Sequence, residues 1–132
     1  MSQSDVKAAR PLSPHLQIYK PILTMVTSIL QRITGVGLYI GMLLVAWWLV
    51  SIVTGPAYYD FVAGLFGSIL GYLVLSGFTW ALMFHLLGGL CHFLWDTGRG
   101  MEKGTLDKIA FVNAAGSIAL TVVVWIIALA IA

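Results

Sequence analysis

Charge is missing from two long stretches of this chain: between Ile33 and Trp95 the only charged residue is Asp60, and from Ile109 to Ala132 there is none. Apolar residues fill these stretches in runs of membrane-spanning length. Membrane β-strands would appear as alternating segments of about ten residues; none is present, so the backbone must satisfy its own hydrogen bonds as helices. The first block begins near Ser28 and runs to about Val53, where Thr54-Gly55-Pro56 supplies a helix stop. The second, from about Phe61 to Trp95, would be roughly 50 Å long as one helix, well beyond a hydrocarbon core of about 30 Å. It predicts a tilted or broken segment at 59–68, then a span at about 70–95. The third block, from about Ile109 to Ala132, offers no chemistry of its own. The expectation is an all-α integral membrane fold with three transmembrane helices at about 28–53, 61–95 and 109–132. One membrane domain covers 1–132, its residues 1–27 forming an N-terminal segment, and the whole is part of a multi-chain helical bundle.

Composition agrees with this pattern, since 60% of the 132 residues are apolar and only 9% are charged, against about a quarter charged in soluble domains. The formal charge of +2 comes from seven Lys and Arg residues at the ends of the apolar blocks, with no continuous basic face, so nucleic acid is not an expected partner. The single cysteine, Cys91, excludes an internal disulfide. Residues 1–27 contain Lys7, Arg10 and Lys20 with Pro11, Pro14 and Pro21, and no short apolar core ending in a cleavage site, which is not the pattern of a signal peptide. The leader is neither long nor Arg-rich, which points to a bacterial inner membrane. Lys7, Arg10, Lys20 and Arg32 precede or open the first span, the 54–60 loop has no Lys or Arg, and Arg99, Lys103 and Lys108 fill the second loop. The positive-inside rule then places the N-terminus in the cytoplasm and the C-terminus outside.

Small residues recur at Ala63, Gly67 and Gly71 and again at Gly77, Ala81, Gly88 and Gly89. In a bilayer such residues mark close approach by another helix, either from this chain or from a partner.

Two histidines lie inside the second block. His85 falls eleven residues before Asp96, which puts it roughly 16 Å deep on a helix, and His92 follows seven residues later, within about 20° of the same face and some 10 Å nearer the end. An ionisable side chain at that depth persists only with a partner. Haem fits best, because imidazole Nε2 ligates haem iron and Ala81, Gly88 and Gly89 leave flat space on the His85 face; the plainer alternative is a histidine hydrogen-bonded to a neighbouring helix. His85 and His92 cannot both ligate one iron, since axial nitrogens lie only about 4 Å apart. With no histidine in helices 1 and 3, and His15 ahead of helix 1, a second histidine ligand would have to come from another polypeptide; Met42 is the one internal rival.

Arg32 is expected about one turn into helix 1, sharing a face with Ser28. Read alone, the arginine is an orientation anchor that snorkels to the interface. With Ser28, Thr24 and Gly35 nearby, it suggests a polar pocket able to hydrogen-bond a lipid-soluble quinone headgroup. Asp96 and Arg99, beside Gly98 and Gly100, read first as capping and loop residues. Trp47, Trp48, Trp80, Trp95 and Trp125 read as interface or packing residues. No Gly-x-Gly-x-x-Gly fingerprint and no cysteine cluster is present, so flavin and iron–sulfur centres are expected on partner chains.

Three motifs stand in order along the chain: Arg10-Pro-Leu-Ser-Pro-His15-Leu-Gln-Ile-Tyr19, Ser28-Ile-Leu-Gln-Arg32-Ile-Thr-Gly35, and His85 through His92 to Asp96. With them the sequence resembles, over nearly its whole length, the cytochrome b large anchor subunits of succinate dehydrogenase, respiratory complex II. The resemblance implies a chain that pairs with a smaller anchor subunit, shares one haem b with it, and tethers an iron–sulfur subunit and a flavoprotein subunit to the membrane. It implies that His85 is the axial ligand of the haem iron, with the smaller anchor supplying the other histidine. Ser28 and Arg32 fall on the family's quinone-site serine and arginine, and His92 on a histidine near the haem propionates; His85, His92 and Arg32 are the implied cofactor-binding positions. The implied activity is that of a subunit of succinate dehydrogenase, helping form the site where ubiquinone or a similar quinone is reduced, with no catalytic residue for the dehydrogenation itself.

Two positions depart from the family pattern. Gln31 stands where histidine usually precedes the arginine, and Cys91 where arginine often precedes the second histidine. Both changes bear on haem potential and propionate contacts; Gln31 still donates a hydrogen bond but cannot become cationic. The motifs leave two other readings open: a fumarate reductase anchor working in the opposite direction, and a haem-free structural subunit in which His85 and His92 form a proton relay.

Overall fold

Lys20, Pro21 and Ile22 lie outside any helix, and after the extended Ile22 the chain turns helical, Met25 and Val26 both donating their N–H to the Ile22 carbonyl. The computed structural model describes Ile18 and residues 20–131; Lys7, Arg10, His15 and nearly all of the first sequence motif lie outside the described residues. Four helices follow in order: α1 (Leu23–Thr54), α2 (Pro56–Phe66), α3 (Ile69–Asp96) and α4 (Lys103–Ile131). α1, α3 and α4 are each long and apolar enough to cross a membrane. α2, with 11 residues, is about 16 Å long and too short to do so.

The stop at Thr54-Gly55-Pro56 is a single-residue joint. Gly55 has φ of 130°, a conformation open to glycine, and Pro56 begins α2 directly after it. Trp47 Nε1 donates to the Tyr58 hydroxyl at 2.9 Å, tying the start of α2 back to α1. The expected break near 59–68 falls at Gly67-Ser68, where the Ser68 hydroxyl caps α3 by accepting from the Gly71 N–H at 3.1 Å. A Cβ on Gly71 would collide with the Leu65 and Phe66 carbonyls, so the turn needs glycine there.

Two boundaries differ from the sequence expectation, for one reason. α1 starts at Leu23, five residues before Ser28, and α4 at Lys103, six before Ile109. Hydropathy marks where the bilayer begins, whereas a helix begins where its punctuation lies: Pro21 for α1, and the positive-φ Gly98 and Gly100 ahead of α4. Arg32 is therefore in the third turn of α1 and not the first.

α3 is central and packs against the other three helices. It runs antiparallel to α1, Gln31 meeting Gly88, Gly35 meeting His85 and Gly41 meeting Phe78; it is antiparallel to α4 as well, Leu87 against Gly116 and Tyr72 against Trp125. Buried apolar side chains are few: Val62 and Phe84, fully enclosed, with Ala81 and Ala110. Buried hydroxyls bond back to their own helix, as Ser51 does to the Trp48 carbonyl at 2.6 Å and Ser117 to the Ala114 carbonyl at 2.8 Å. Most large apolar side chains face outward, as they should where the solvent is hydrocarbon. Every Lys and Arg among the described residues lies at the end of the bundle that holds the start of α1, the end of α3 and the start of α4; Asp60 is near the other end.

Candidate functional site

His85 does not point freely out of α3. Its Nδ1 lies 3.2 Å from the Gln31 carbonyl oxygen of α1 and 3.4 Å from Thr34 Oγ1, and its Cε1 faces Gly35, where a Cβ would approach to 3.2 Å. Thr34 spends its own proton on the Leu30 carbonyl at 2.8 Å. A carbonyl oxygen can only accept, so Nδ1 carries a hydrogen, which in the neutral ring leaves the lone pair on Nε2. Among the described residues Nε2 has no hydrogen-bond partner, and His85 is half-buried. The plainer sequence reading of His85, a histidine hydrogen-bonded to a neighbouring helix, is what the structure shows; a ring held this way through Nδ1 is compatible with ligation through the other nitrogen.

Gln31 returns the contact, its Nε2 donating to the His85 carbonyl at 3.2 Å. Its Oε1 is buried without a partner, and a Cβ on Gly88 would run into the same amide. Here a sequence expectation is corrected. The space beside Gly88 is not flat room for a porphyrin but is filled by Gln31, because α1 and α3 approach closely at that level. Gly89, with nothing of this chain within 4 Å of its Cβ position, does leave open space.

Toward the charged end, the three membrane helices part around a cavity of about 310 Å³. α1 contributes Thr24, Thr27, Ser28, Gln31 and Arg32; α3 contributes Gly88, Cys91, His92 and Trp95; Asn113 comes from α4. Ser28 and Arg32 thus share a lining, as their spacing predicts. Neither side chain makes a hydrogen bond or ion pair among the described residues; Thr27, not Ser28, bonds the Thr24 carbonyl, at 3.0 Å. His92 lines this cavity and meets the Trp95 ring edge-on at 5.0 Å. His85 does not line it, so the two histidines, one helix face apart in sequence, sit in different surroundings.

α4 was expected to contribute no chemistry, and Asn113 overturns that. It is the chain's only asparagine, 7% exposed, with Oδ1 buried and unpartnered. A lone amide inside an apolar block was the available signal. Trp95 Nε1 is also buried without a partner, so three of the four such atoms among the described residues, on Gln31, Trp95 and Asn113, belong to residues of this one cavity. The fourth is on Trp125, near Tyr72. Trp80, one of the five tryptophans read as interface or packing residues, packs on the buried Phe84 at 5.6 Å. Among the described residues no three His, Cys, Asp or Glu gather into a metal-binding group.

Three helices long and apolar enough to cross a membrane, with a polar cavity between them toward the charged end, define an integral membrane protein. The chain belongs to the succinate dehydrogenase/fumarate reductase transmembrane subunit family, whose model matches residues 7–124. It is 44% identical over 118 residues to the succinate dehydrogenase cytochrome b556 subunit of Paracoccus denitrificans, covering 89% of this chain and 91% of that one. The cytochrome b556 subunit of Rickettsia conorii is 32% identical over 95% of this chain and 98% of its own length. The mitochondrial cytochrome b560 subunit of Sus scrofa is 36% identical over 78% of this chain and 62% of its own.

Proposed function

We propose that the chain is the haem b-binding membrane anchor of a succinate:quinone oxidoreductase, and that it supplies part of the quinone-reduction site. The observation that carries this is the His85 ring, its Nδ1–H held by the Gln31 carbonyl, which in the neutral ring leaves the lone pair on Nε2. When bound, haem b supplies a one-electron carrier within the bilayer. His85 would hold its iron through Nε2. The second axial nitrogen would come from the smaller anchor subunit: His92 is seven residues away along α3, about 10 Å. Met42 lies seven residues beyond the His85-facing Gly35 and is 68% exposed. Arg32 and His92, at the charged end, are placed to meet the carboxylates of a porphyrin.

The cavity suits a single-ring headgroup, its 310 Å³ lying at the small end of ligand pockets, which run from about 300 to 1,000 Å³. Ser28 donates its uncommitted hydroxyl to a quinone carbonyl, and the always-cationic Arg32 stabilises the negative charge that develops as electrons arrive ahead of protons. Protons can then come from water at the same edge, without a path across the bilayer. The concentration of Lys and Arg at that end supports a cytoplasmic N-terminus, in a bacterial inner membrane, with the iron–sulfur and flavoprotein subunits docked on that side. Dehydrogenation of succinate belongs to those chains. The family model spans both directions of the reaction; the curated relatives carry succinate dehydrogenase names, and we take that direction.

A reduced-minus-oxidised optical spectrum of the purified complex tests this. A low-spin b-type band that disappears in His85→Ala, with the complex still assembled, is the expected result. Absence of the band from the native complex would instead favour the haem-free reading with a proton relay.

A further inference from the structure

We propose that Asn113 contacts the headgroup in the polar cavity, its Oδ1 accepting a hydrogen bond from a hydroxyl of the reduced quinol, and that it thereby sets the site's preference for quinol over quinone. The inference rests on the quinone-site reading above and deepens it.

The amide oxygen of Asn113 cannot be satisfied by its own helix. Mid-helix N–H groups are already spent on carbonyls four residues back. The neighbouring polar residues on α4 solve their problem as donors: Ser117 bonds the Ala114 carbonyl at 2.8 Å and Thr121 the Ser117 carbonyl at 2.7 Å. An acceptor has no such route. Oδ1 of Asn113 is buried and unpartnered and its residue lines the cavity, and on this reading its donor comes from what the cavity holds.

Gln31 has the same deficit. Its Nε2 is used on the His85 carbonyl, which leaves Oε1 buried without a donor on the same cavity. The lining therefore mixes two kinds of unmet demand. Arg32, Ser28, Trp95 Nε1 and the Asn113 Nδ2 offer protons, whereas Asn113 Oδ1 and Gln31 Oε1 require them. A quinone has carbonyl oxygens alone and can answer only the first group. A quinol has two O–H groups whose oxygens also accept, so it answers both. Reduction converts one into the other by adding two electrons, from succinate oxidation in the docked subunits, and two protons, from water. Each added proton creates the donor that these amide oxygens lack.

Assembled complexes carrying Asn113→Leu, matched by their succinate-to-dye activity, give the KM for decylubiquinone and the product-inhibition constant for decylubiquinol. The ratio of inhibition constant to KM should rise about tenfold, the scale of one lost hydrogen bond in a dry site, and should return toward the native value in Asn113→Ser, whose hydroxyl oxygen accepts. If the leucine variant fails to assemble, Asn113→Ala removes the same acceptor with less bulk and carries the same expectation. An unchanged ratio overturns the proposal, as does an unchanged ratio with an enlarged solvent isotope effect, which would assign the donor to a bound water. Ser28→Ala, run in parallel, separates the two layers. If it slows decylubiquinone reduction while Asn113 variants leave the ratio alone, only the present inference falls; if it has no effect, the quinone site itself is misplaced.

Discussion

Gln31 and His85 grip each other's main chain: the imidazole Nδ1–H bonds the Gln31 carbonyl and the Gln31 amide bonds the His85 carbonyl, both at 3.2 Å. The two bonds are not equivalent for function. The first uses a backbone atom of α1 that any residue at position 31 would supply, while the second uses the glutamine side chain.

It follows that Gln31→Leu should keep the haem band that His85→Ala abolishes. The leucine removes one interhelical hydrogen bond, worth about 0.6 kcal/mol and at most about 1.7 in a membrane protein, but also the orphaned Oε1, so the midpoint for thermal loss of the spectrum should move little. Loss of haem from an assembled Gln31→Leu complex would mean that the amide, and not the main chain, positions the ring.

Adjacent glycines on α3 should behave differently. Gly88→Ala pushes aside the Gln31 amide, the movable end of a flexible side chain, and should lower the yield of assembled complex only modestly; in Gly89→Ala the new Cβ meets nothing among the described residues within 4 Å. Blue-native electrophoresis of membranes compares them. A Gly89→Ala defect as large as that of Gly88→Ala would show that a partner subunit covers that face tightly.

Removing a donor aimed at developing charge commonly costs a hundredfold or more in rate. Ser28→Ala and Arg32→Leu should each slow succinate-to-quinone turnover by about that factor, with succinate oxidation by a soluble dye surviving. If both activities fell together with loss of complex, Arg32 would be an orientation anchor and nothing more.

Met42→Leu should leave the electron paramagnetic resonance spectrum of the haem unchanged, because Met42 faces outward about two turns beyond the level of His85. His92→Ala should retain the haem and shift its midpoint potential, since His92 lies toward the charged end and at a distance from the His85 ring. A loss of the low-spin signal in Met42→Leu would replace the two-chain ligation with a histidine–methionine pair.

The spans, the break before α3 and the position of His85 eleven residues before the end of α3 were legible because each follows from one-dimensional rules: hydropathy, glycine and proline punctuation, and rise per residue. The pairing of Ser28 with Arg32 followed from helical spacing for the same reason. What was not legible required knowing which faces meet. Gly88 reads as open space until α1 brings Gln31 into it, and His92 shares a helical face with His85 yet lines a different space. Asn113 is different, because its isolation among apolar residues was visible and its importance was outweighed by the blandness of everything around it.

The outward-facing Leu, Ile and Val side chains have a consequence for the chain before it meets its partners. In water such a surface would force immediate aggregation. In a bilayer it is matched by acyl chains and generates almost no drive toward association, so an orphan copy can wait in the membrane, and recognition falls to shape and to the few polar groups it shows. A subunit with this surface is selective about company because greasiness alone attracts none.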